Sequence, residues 1–285
     1  RHIGMVIKRT RRTGGVFRSR LTLERVYMSN YDRNAYAPYG GVATQAQIDQ
    51  GLRTYMLGVY NNMVLGLAIT GLAALGFYMM SVTGDPAMAA GKLRNGLMLT
   101  SFGALMYTSP LKWVVMFAPL GAVLLLSFRI QSMTTSAARL TFWVYAALVG
   151  VSMATIFFVY THSSIVRVFF ITAAAFGALS LYGYTTKKDL SGMGSFLIMG
   201  LFGILIASIV NIFLGSTGLQ WAISVLGVLI FAGLTAYDTQ NIKEMYYEGN
   251  APEMAEKLSI YGALQLYMDF LGMFQMLLSL MGNRE

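Results

Sequence analysis

Seven long apolar runs, separated by short polar segments, dominate this sequence. Each run has about the 17 to 25 residues that a helix needs to cross roughly 30 Å of hydrocarbon, and Leu111 extends the shortest one, the second. The sequence therefore predicts an all-α integral membrane protein with seven transmembrane helices. The runs are Met63–Val82, Trp113–Phe128, Leu140–Tyr160, Ile165–Tyr182, Phe196–Leu214, Leu219–Tyr237 and Leu258–Met281.

Composition supports a membrane location and excludes several kinds of site. Of the 285 residues, 56% are hydrophobic and 12% are charged, about half of the charged share of a soluble domain. The chain has no cysteine, which excludes disulfides, thiolate zinc sites, iron–sulfur clusters and cysteine nucleophiles. We expect the lipid bilayer to be its main partner, and we expect no cofactor and no enzymatic activity.

The chain divides into a polar basic tail, residues 1–55, and a membrane domain, residues 56–285. Most of the net charge of +9 comes from basic residues before position 28, so the charge does not indicate nucleic-acid binding. The run that begins at Met28 is typical of a native start, which would make residues 1–27 an upstream extension. An Arg-rich, acid-poor leader is also similar to an organelle transit peptide, and both origins stay open.

The distribution of lysine and arginine predicts the orientation. With the amino terminus in the cytoplasm, 16 basic residues lie inside and five outside, as the positive-inside rule requires. Without residues 1–27 the counts are eight and five. The segment Gly96–Thr108 is too short to span and is interpreted as interfacial, or as a lead into the second helix.

Two carboxylates fall within or beside the apolar runs: Asp238 at the inner end of the sixth and Asp269 in the middle of the seventh. A carboxylate in hydrocarbon costs several kcal/mol, so such residues face the protein interior and indicate an ion or proton path. For Asp238 a position at the membrane interface is the alternative. For Arg129, which could pair with Asp238, the alternative is an ordinary cytoplasmic loop charge.

Helical periodicity places each aspartate on a small or polar stripe. At 100° per residue, one stripe lies on each of the last two helices. The stripes comprise Ser224, Gly227, Phe231, Thr235 and Asp238 on the sixth helix, and Gly262, Gln265, Asp269 and Gly272, with Ser279 trailing, on the seventh. We expect both stripes to face other helices.

If the aspartates approach each other, they would share a proton or a cation. Calcium, a hard cation, takes six to eight oxygen ligands. Two carboxylates are too few for a tight site, so Thr235, Gln265, backbone carbonyls and water would contribute. The expected binding is weak and rapidly exchanging, as conduction requires.

Three motifs in this order resemble the Bax inhibitor-1 family of membrane proteins, over roughly residues 50–282. The opening from Met28 is similar to alphaproteobacterial members. The motifs are Ser180-Leu-Tyr-Gly-Tyr-Thr-Thr-Lys-Lys-Asp-Leu-Ser-Gly-Met-Gly-Ser-Phe-Leu197, Leu234-Thr-Ala-Tyr-Asp-Thr-Gln-Asn-Ile-Lys243 and Leu266-Tyr-Met-Asp-Phe-Leu271.

The resemblance implies a seven-helix fold with two three-helix layers around a central seventh helix. It also implies a pH-sensitive calcium leak gated by an aspartate pair, whose positions match Asp238 and Asp269. Arg129 is the nearest match to a basic residue that latches the closed state, although relatives can carry a basic cluster and Ile130-Gln-Ser follows here. A bacterial inner membrane is favoured over a mitochondrial one.

Two other functions remain as alternatives. The chain could be a regulatory partner of a membrane quality-control protease, a role that the resemblance allows and that would depend on the tail. It could also be an intramembrane aspartyl protease, but Leu266-Tyr-Met-Asp269 lacks the Gly-x-Gly-Asp pattern of such enzymes.

Overall fold

The computed structural model describes residues 45–93, 96–129, 132–247 and 250–284, except for the side chains of residues 45–48 and 125–129. Residues 1–44 of the predicted tail therefore lie outside the described residues. Helices account for most of the described chain. They are α1 (Gln45–Ser81), α2 (Ser101–Thr108), α3 (Leu111–Arg129), α4 (Thr135–Met153), α5 (His162–Thr185), α6 (Ser191–Leu214), α7 (Thr217–Glu244) and α8 (Pro252–Met281), with short 3-10 turns at Pro86–Met88 and Ala154–Phe158.

Six helices in the described part of the chain are long and apolar enough to cross a membrane: α1, α4 with its 3-10 extension, α5, α6, α7 and α8. They coincide with six of the seven predicted runs, which confirms a multi-pass helical membrane protein. The remaining run falls on α3. The part of α3 whose side chains are described, Leu111–Leu124, is an apolar helix shorter than the other six.

Three helices extend beyond the predicted spans into polar sequence. α1 begins at Gln45 rather than near Met63, α7 continues to Glu244, and α8 begins at Pro252. Tyr55 and Val59 are buried in the core, so protein contacts stabilise the early turns of α1. Apolar runs locate only the lipid-exposed part of a helix, whereas tertiary contacts extend helices into polar sequence.

A small three-stranded sheet connects α1 to α2. Its antiparallel strands, β1 (Val82–Thr83), β2 (Gly91–Lys92) and β3 (Met98–Leu99), lie in the order β1-β3-β2. The hydroxyl of Thr100 then accepts a hydrogen bond from the Gly103 amide and caps α2. The segment predicted as interfacial therefore contains β3 and an eight-residue helix that is too short to span.

α8 lies at the centre of the packing. It contacts α1, α4, α5 and α7. Half of the residues in its most apolar stretch are buried, a larger share than in any other candidate span of the described chain. Its fully buried Tyr267 shares a 2.6 Å hydrogen bond with Thr70 of α1. Thr70 also donates to the Ala146 carbonyl of α4, so polar contacts join three helices where lipid offers no alternative partner.

α7 packs closely against α5 and α6 through glycines on those two helices. A Cβ at Gly183 of α5 would overlap the Ala236 carbonyl, and a Cβ at Gly194 of α6 would overlap the Tyr237 ring. Glycine lets helix backbones approach closely in a membrane. α7 therefore packs against α5, α6 and α8.

Candidate functional site

The carboxyl groups of Asp238 and Asp269 meet between α7 and α8. Their side chains lie within hydrogen-bonding distance of each other, so one proton links the two groups when either is protonated. Asp269 is only 4% exposed, and its Oδ2 has no hydrogen-bond partner among the described residues. The site thus combines two adjacent carboxyl groups with a buried oxygen that remains available as an acceptor.

The stripes predicted on the last two helices face each other along the whole interface. Besides the aspartates, Ser224 of α7 donates to Ser279 of α8 at 2.9 Å. A Cβ at Gly262 of α8 would press against Ile242 of α7. The prediction that both stripes face other helices is confirmed, because the two antiparallel helices keep one register from end to end.

Asp238 lies within α7 rather than at its end. The helix continues for six residues to Glu244, and Asp238 is half-buried against protein. Asp238 is therefore not at a helix end, and its position relative to the membrane interface stays a prediction. Sequence placed the boundary at Tyr237 because hydropathy falls there, although the polar residues that follow have protein partners.

A second polar cluster lies toward the opposite end of the same interface. Gln220 of α7 donates to the hydroxyls of Ser224 and Ser279 and accepts from the Asn211 amide of α6, at 3.2 to 3.4 Å. Ser224 is 14 positions from Asp238, which corresponds to about 21 Å along the helix axis. The two polar clusters are therefore separated by much of the thickness of a bilayer.

An apolar layer separates these clusters. The Phe231 ring lies against Gly272, and the Met276 side chain lies against Gly227, so that a Cβ at either glycine would overlap its neighbour. The glycines leave room that one aromatic and one thioether side chain fill. The polar seam between α7 and α8 is thus interrupted by packed apolar atoms about 10 Å from Asp238.

The predicted supporting residues have different environments. Thr235 is fully buried, and its hydroxyl donates to the Phe231 carbonyl at 2.8 Å. Gln265 lies one turn before Asp269, and its Oε1 is buried without a hydrogen-bond partner among the described residues. Gln265 Oε1 and Asp269 Oδ2 on α8 are thus both buried acceptors without a partner among the described residues.

A chain of hydroxyl groups, which the sequence analysis did not identify, approaches the site from α1. Tyr60 shares a 2.7 Å hydrogen bond with Ser180 of α5, which shares one of 3.0 Å with Thr239 of α7. Tyr60 precedes the first predicted span, so the apolar runs did not point to it. Ser180 and Thr239 lie in two of the three sequence motifs, which is the only sequence signal for this chain of hydroxyl groups.

The end of α7 near the aspartates also holds the loop between α5 and α6. The Gln240 carboxamide accepts from the Leu190 amide and donates to the Lys188 carbonyl, both at 2.8 Å. In the same loop, Asp189 accepts hydrogen bonds from the hydroxyl and backbone N–H of Ser191, and these bonds lower the pKa of Asp189.

Arg129 is the last residue of α3, and its side chain lies outside the described residues. The predicted contact with Asp238 therefore stays a prediction. Within the described chain, no group of three or more histidine, aspartate or glutamate residues could hold a metal ion. Any cation at the aspartate pair would consequently need neutral oxygens or water to complete its coordination.

Together, the fold and the site define a helical, multi-pass membrane protein with a carboxyl pair in its interior. Comparison with known proteins identifies the family: residues 52–285 match the model of the inhibitor of apoptosis-promoting Bax1 family. The chain belongs to this family, the Bax inhibitor-1 family, and the predicted resemblance is confirmed.

Several bacterial proteins are similar to this chain over most of their length. A Caulobacter vibrioides protein is 45% identical over 261 residues, covering 90% of this chain and all of its own. A Rickettsia prowazekii protein is 44% identical, covering 83% and 92%. The inner membrane protein YbhL of Escherichia coli is 42% identical, covering 82% and 94%. Similarity to the first two agrees with the predicted alphaproteobacterial affinity.

Proposed function

We propose that this protein is a pH-sensitive leak pathway for calcium or related cations, in which Asp238 and Asp269 form the titrating gate. The observation that carries the proposal is the pair of adjacent carboxyl groups between α7 and α8, of which Asp269 is buried. A proton shared by two carboxyl groups competes directly with a cation for the same oxygens. Protonation and cation occupancy would therefore exclude each other at this pair.

Calcium in this proposal is the transported substrate, held only briefly. The aspartates supply the charged ligands, while Gln265 Oε1, the Thr235 hydroxyl oxygen, backbone carbonyls and water complete the coordination. Gln265 Oε1 and Asp269 Oδ2 favour this assignment because both are buried acceptors without a partner among the described residues. Few protein ligands mean weak binding, which lets the ion leave.

The ion path follows the seam between α7 and α8. From the aspartates it reaches the apolar layer of Phe231 and Met276 and then the cluster around Gln220. Because dewetted apolar constrictions stop ions, this layer keeps the path closed until the two helices separate. Arg129 would latch the closed state by pairing with Asp238, since a partly buried guanidinium seeks a carboxylate.

The proposed membrane arrangement is seven spans, with α3 as the second, in two three-helix layers around α8. The contacts of α8 with four helices support its central position. The excess of basic residues on one side supports a cytoplasmic amino terminus. Similarity to YbhL, an inner membrane protein, favours the bacterial inner membrane over the mitochondrial one.

The role proposed is not enzymatic. The alternative is that the chain regulates a membrane quality-control protease without transporting ions. Deletion of residues 1–44 separates the two proposals, because the protease partner depends on the tail whereas the ion path lies between α7 and α8.

The decisive experiment is calcium flux into dye-loaded proteoliposomes between pH 5.5 and 8.5. Native protein is compared with Asp238→Asn and Asp269→Asn at equal reconstitution, and Asp85→Asn, at an exposed position between α1 and α2, is the matched control. We expect pH-dependent flux in the native protein and the control, and loss of flux or of its pH response in both pair variants. Native protein without flux, or pair variants identical to it, would refute the leak pathway and favour the protease partner.

A further inference from the structure

A long apolar groove runs between α1 and α5. It has a volume of about 1270 Å³, and Phe270 of α8 contributes to its lining. Its opening lies on the membrane-spanning surface of both helices. Within it, Tyr60 and Ser180 are hydrogen-bonded to each other. These two hydroxyl groups therefore have partners, and the apolar residues of the lining suit a hydrocarbon chain.

The two ends of the groove differ in chemistry. Arg53 and Tyr184 line the end nearest the aspartate pair, whereas Leu75 and Phe169 line the opposite end. The distance from Arg53 to Leu75 along α1 is about 33 Å, close to the roughly 30 Å thickness of the hydrocarbon core. The groove is thus about as long as the hydrocarbon core is thick, and Arg53 is the charged residue at one of its ends.

The groove is long and narrow. A volume of about 1270 Å³ over about 33 Å gives a mean cross-section of roughly 40 Å². Such a groove is wide enough for an alkyl chain.

We propose that this groove binds a phospholipid with an anionic headgroup. Its phosphate pairs with Arg53, because a guanidinium binds phosphate through two parallel hydrogen bonds. One acyl chain lies along α5 in the half of the groove that begins at Tyr184. The lipid bridges α1 and α5, which both pack against α8.

Two glycines provide a blocking variant and its control. Gly177 lines the groove, and a Cβ there would meet no atom within 4 Å. The Cβ of Gly177→Leu therefore enters open space, and the rest of the side chain occupies part of the groove. Gly203 of α6 has the same open surroundings outside the groove, so Gly203→Leu is the matched control. Leu181→Trp, at an exposed position in the same lining, is a second block.

The test is native mass spectrometry of the full-length protein in detergent, with phosphatidylglycerol and phosphatidylcholine as probes at equal concentration. We expect one tightly held phosphatidylglycerol, favoured about fivefold over phosphatidylcholine by the single arginine. Arg53→Gln should abolish that preference, while Arg167→Gln, a charge change on α5 outside the groove lining, should not. Gly177→Leu and Leu181→Trp should reduce binding of both lipids, and Gly203→Leu should match the native protein.

Equal binding of the two lipids by native protein, or an unchanged preference in Arg53→Gln, would overturn the proposal. So would unchanged binding in both blocked variants. A dimer that Gly177→Leu dissociates would assign the groove to a second copy of the chain instead.

Discussion

The ring of Phe231 on α7 lies directly against Gly272 on α8, where any side chain larger than hydrogen would overlap it. The pair lies between the aspartates and the cluster around Gln220. An apolar obstruction therefore occupies the middle of an otherwise polar seam. The proposed leak pathway depends on whether this contact opens.

Truncation of the ring tests the obstruction. We expect Phe231→Ala to increase calcium flux about tenfold, which corresponds to about 1.4 kcal/mol of barrier, while lowering the free energy of unfolding by about 2–4 kcal/mol. Phe213→Ala, at an 85% exposed position of α6, is the control and should change neither quantity. Flux in Phe231→Ala equal to that of native protein would exclude this layer as the barrier.

The unpaired oxygen of Gln265 allows a stability effect to be separated from an ion-binding effect. We expect Gln265→Met to lower calcium flux several-fold, because it removes a ligand, without lowering the melting temperature, because it removes a buried acceptor with no described partner. Gln275→Met, at an exposed position of the same helix, is the control. A fall in stability with unchanged flux would show a purely structural role.

The hydroxyl chain from α1 to α7 should behave as one unit. Tyr60→Phe and Ser180→Ala should each lower the free energy of unfolding by about 1 kcal/mol. The double variant should lose less than the sum, because both changes break the same 2.7 Å hydrogen bond. Chemical denaturation in detergent measures this coupling, and strict additivity would count against a shared network.

The close approach of α5 and α7 can be tested with a single methyl group. Gly183→Ala would place a Cβ against the Ala236 carbonyl, so we expect a loss of about 1–3 kcal/mol of stability, as overpacking requires. Gly203→Ala, in open surroundings on α6, should be neutral or slightly stabilising. Equal melting temperatures for the two variants would contradict this packing.

The α5–α6 loop has its own pH dependence. The folded-state pKa of Asp189 is lowered by hydrogen bonds from Ser191. The contribution to stability is therefore present above the unfolded pKa, about 3.9, and is lost as the pH falls through the folded value. Ser191→Ala should raise the Asp189 pKa toward its ordinary range, which NMR titration of labelled aspartate would detect. Thr185→Ala, at the end of α5, is the control that should leave it unchanged.

The sequence predicted what hydropathy and helical periodicity determine. Six of the predicted apolar runs are long membrane-compatible helices, and the stripes on α7 and α8 face each other because residues on one helical face stay together in any packing. The side chain of Arg129 lies outside the described residues, so the latch is untested.

Features that depend on contacts between distant residues could not be read from periodicity. The early turns of α1 are polar in sequence and are held by burial of Tyr55 and Val59. The partners of Tyr60 and Gln240 lie 120 and about 50 positions away. Such pairings follow from the way the helices assemble, and no local pattern encodes them.

The hydrogen bonds between Gln240 and the α5–α6 loop have a mechanical consequence. Its carboxamide holds Lys188 and Leu190 from a position two residues beyond Asp238 on the same rigid helix. A rotation or translation of α7 that parts the two carboxyl groups must therefore drag this loop along or break two hydrogen bonds. Any movement of α7 at the buried carboxyl pair would thus also displace an exposed loop.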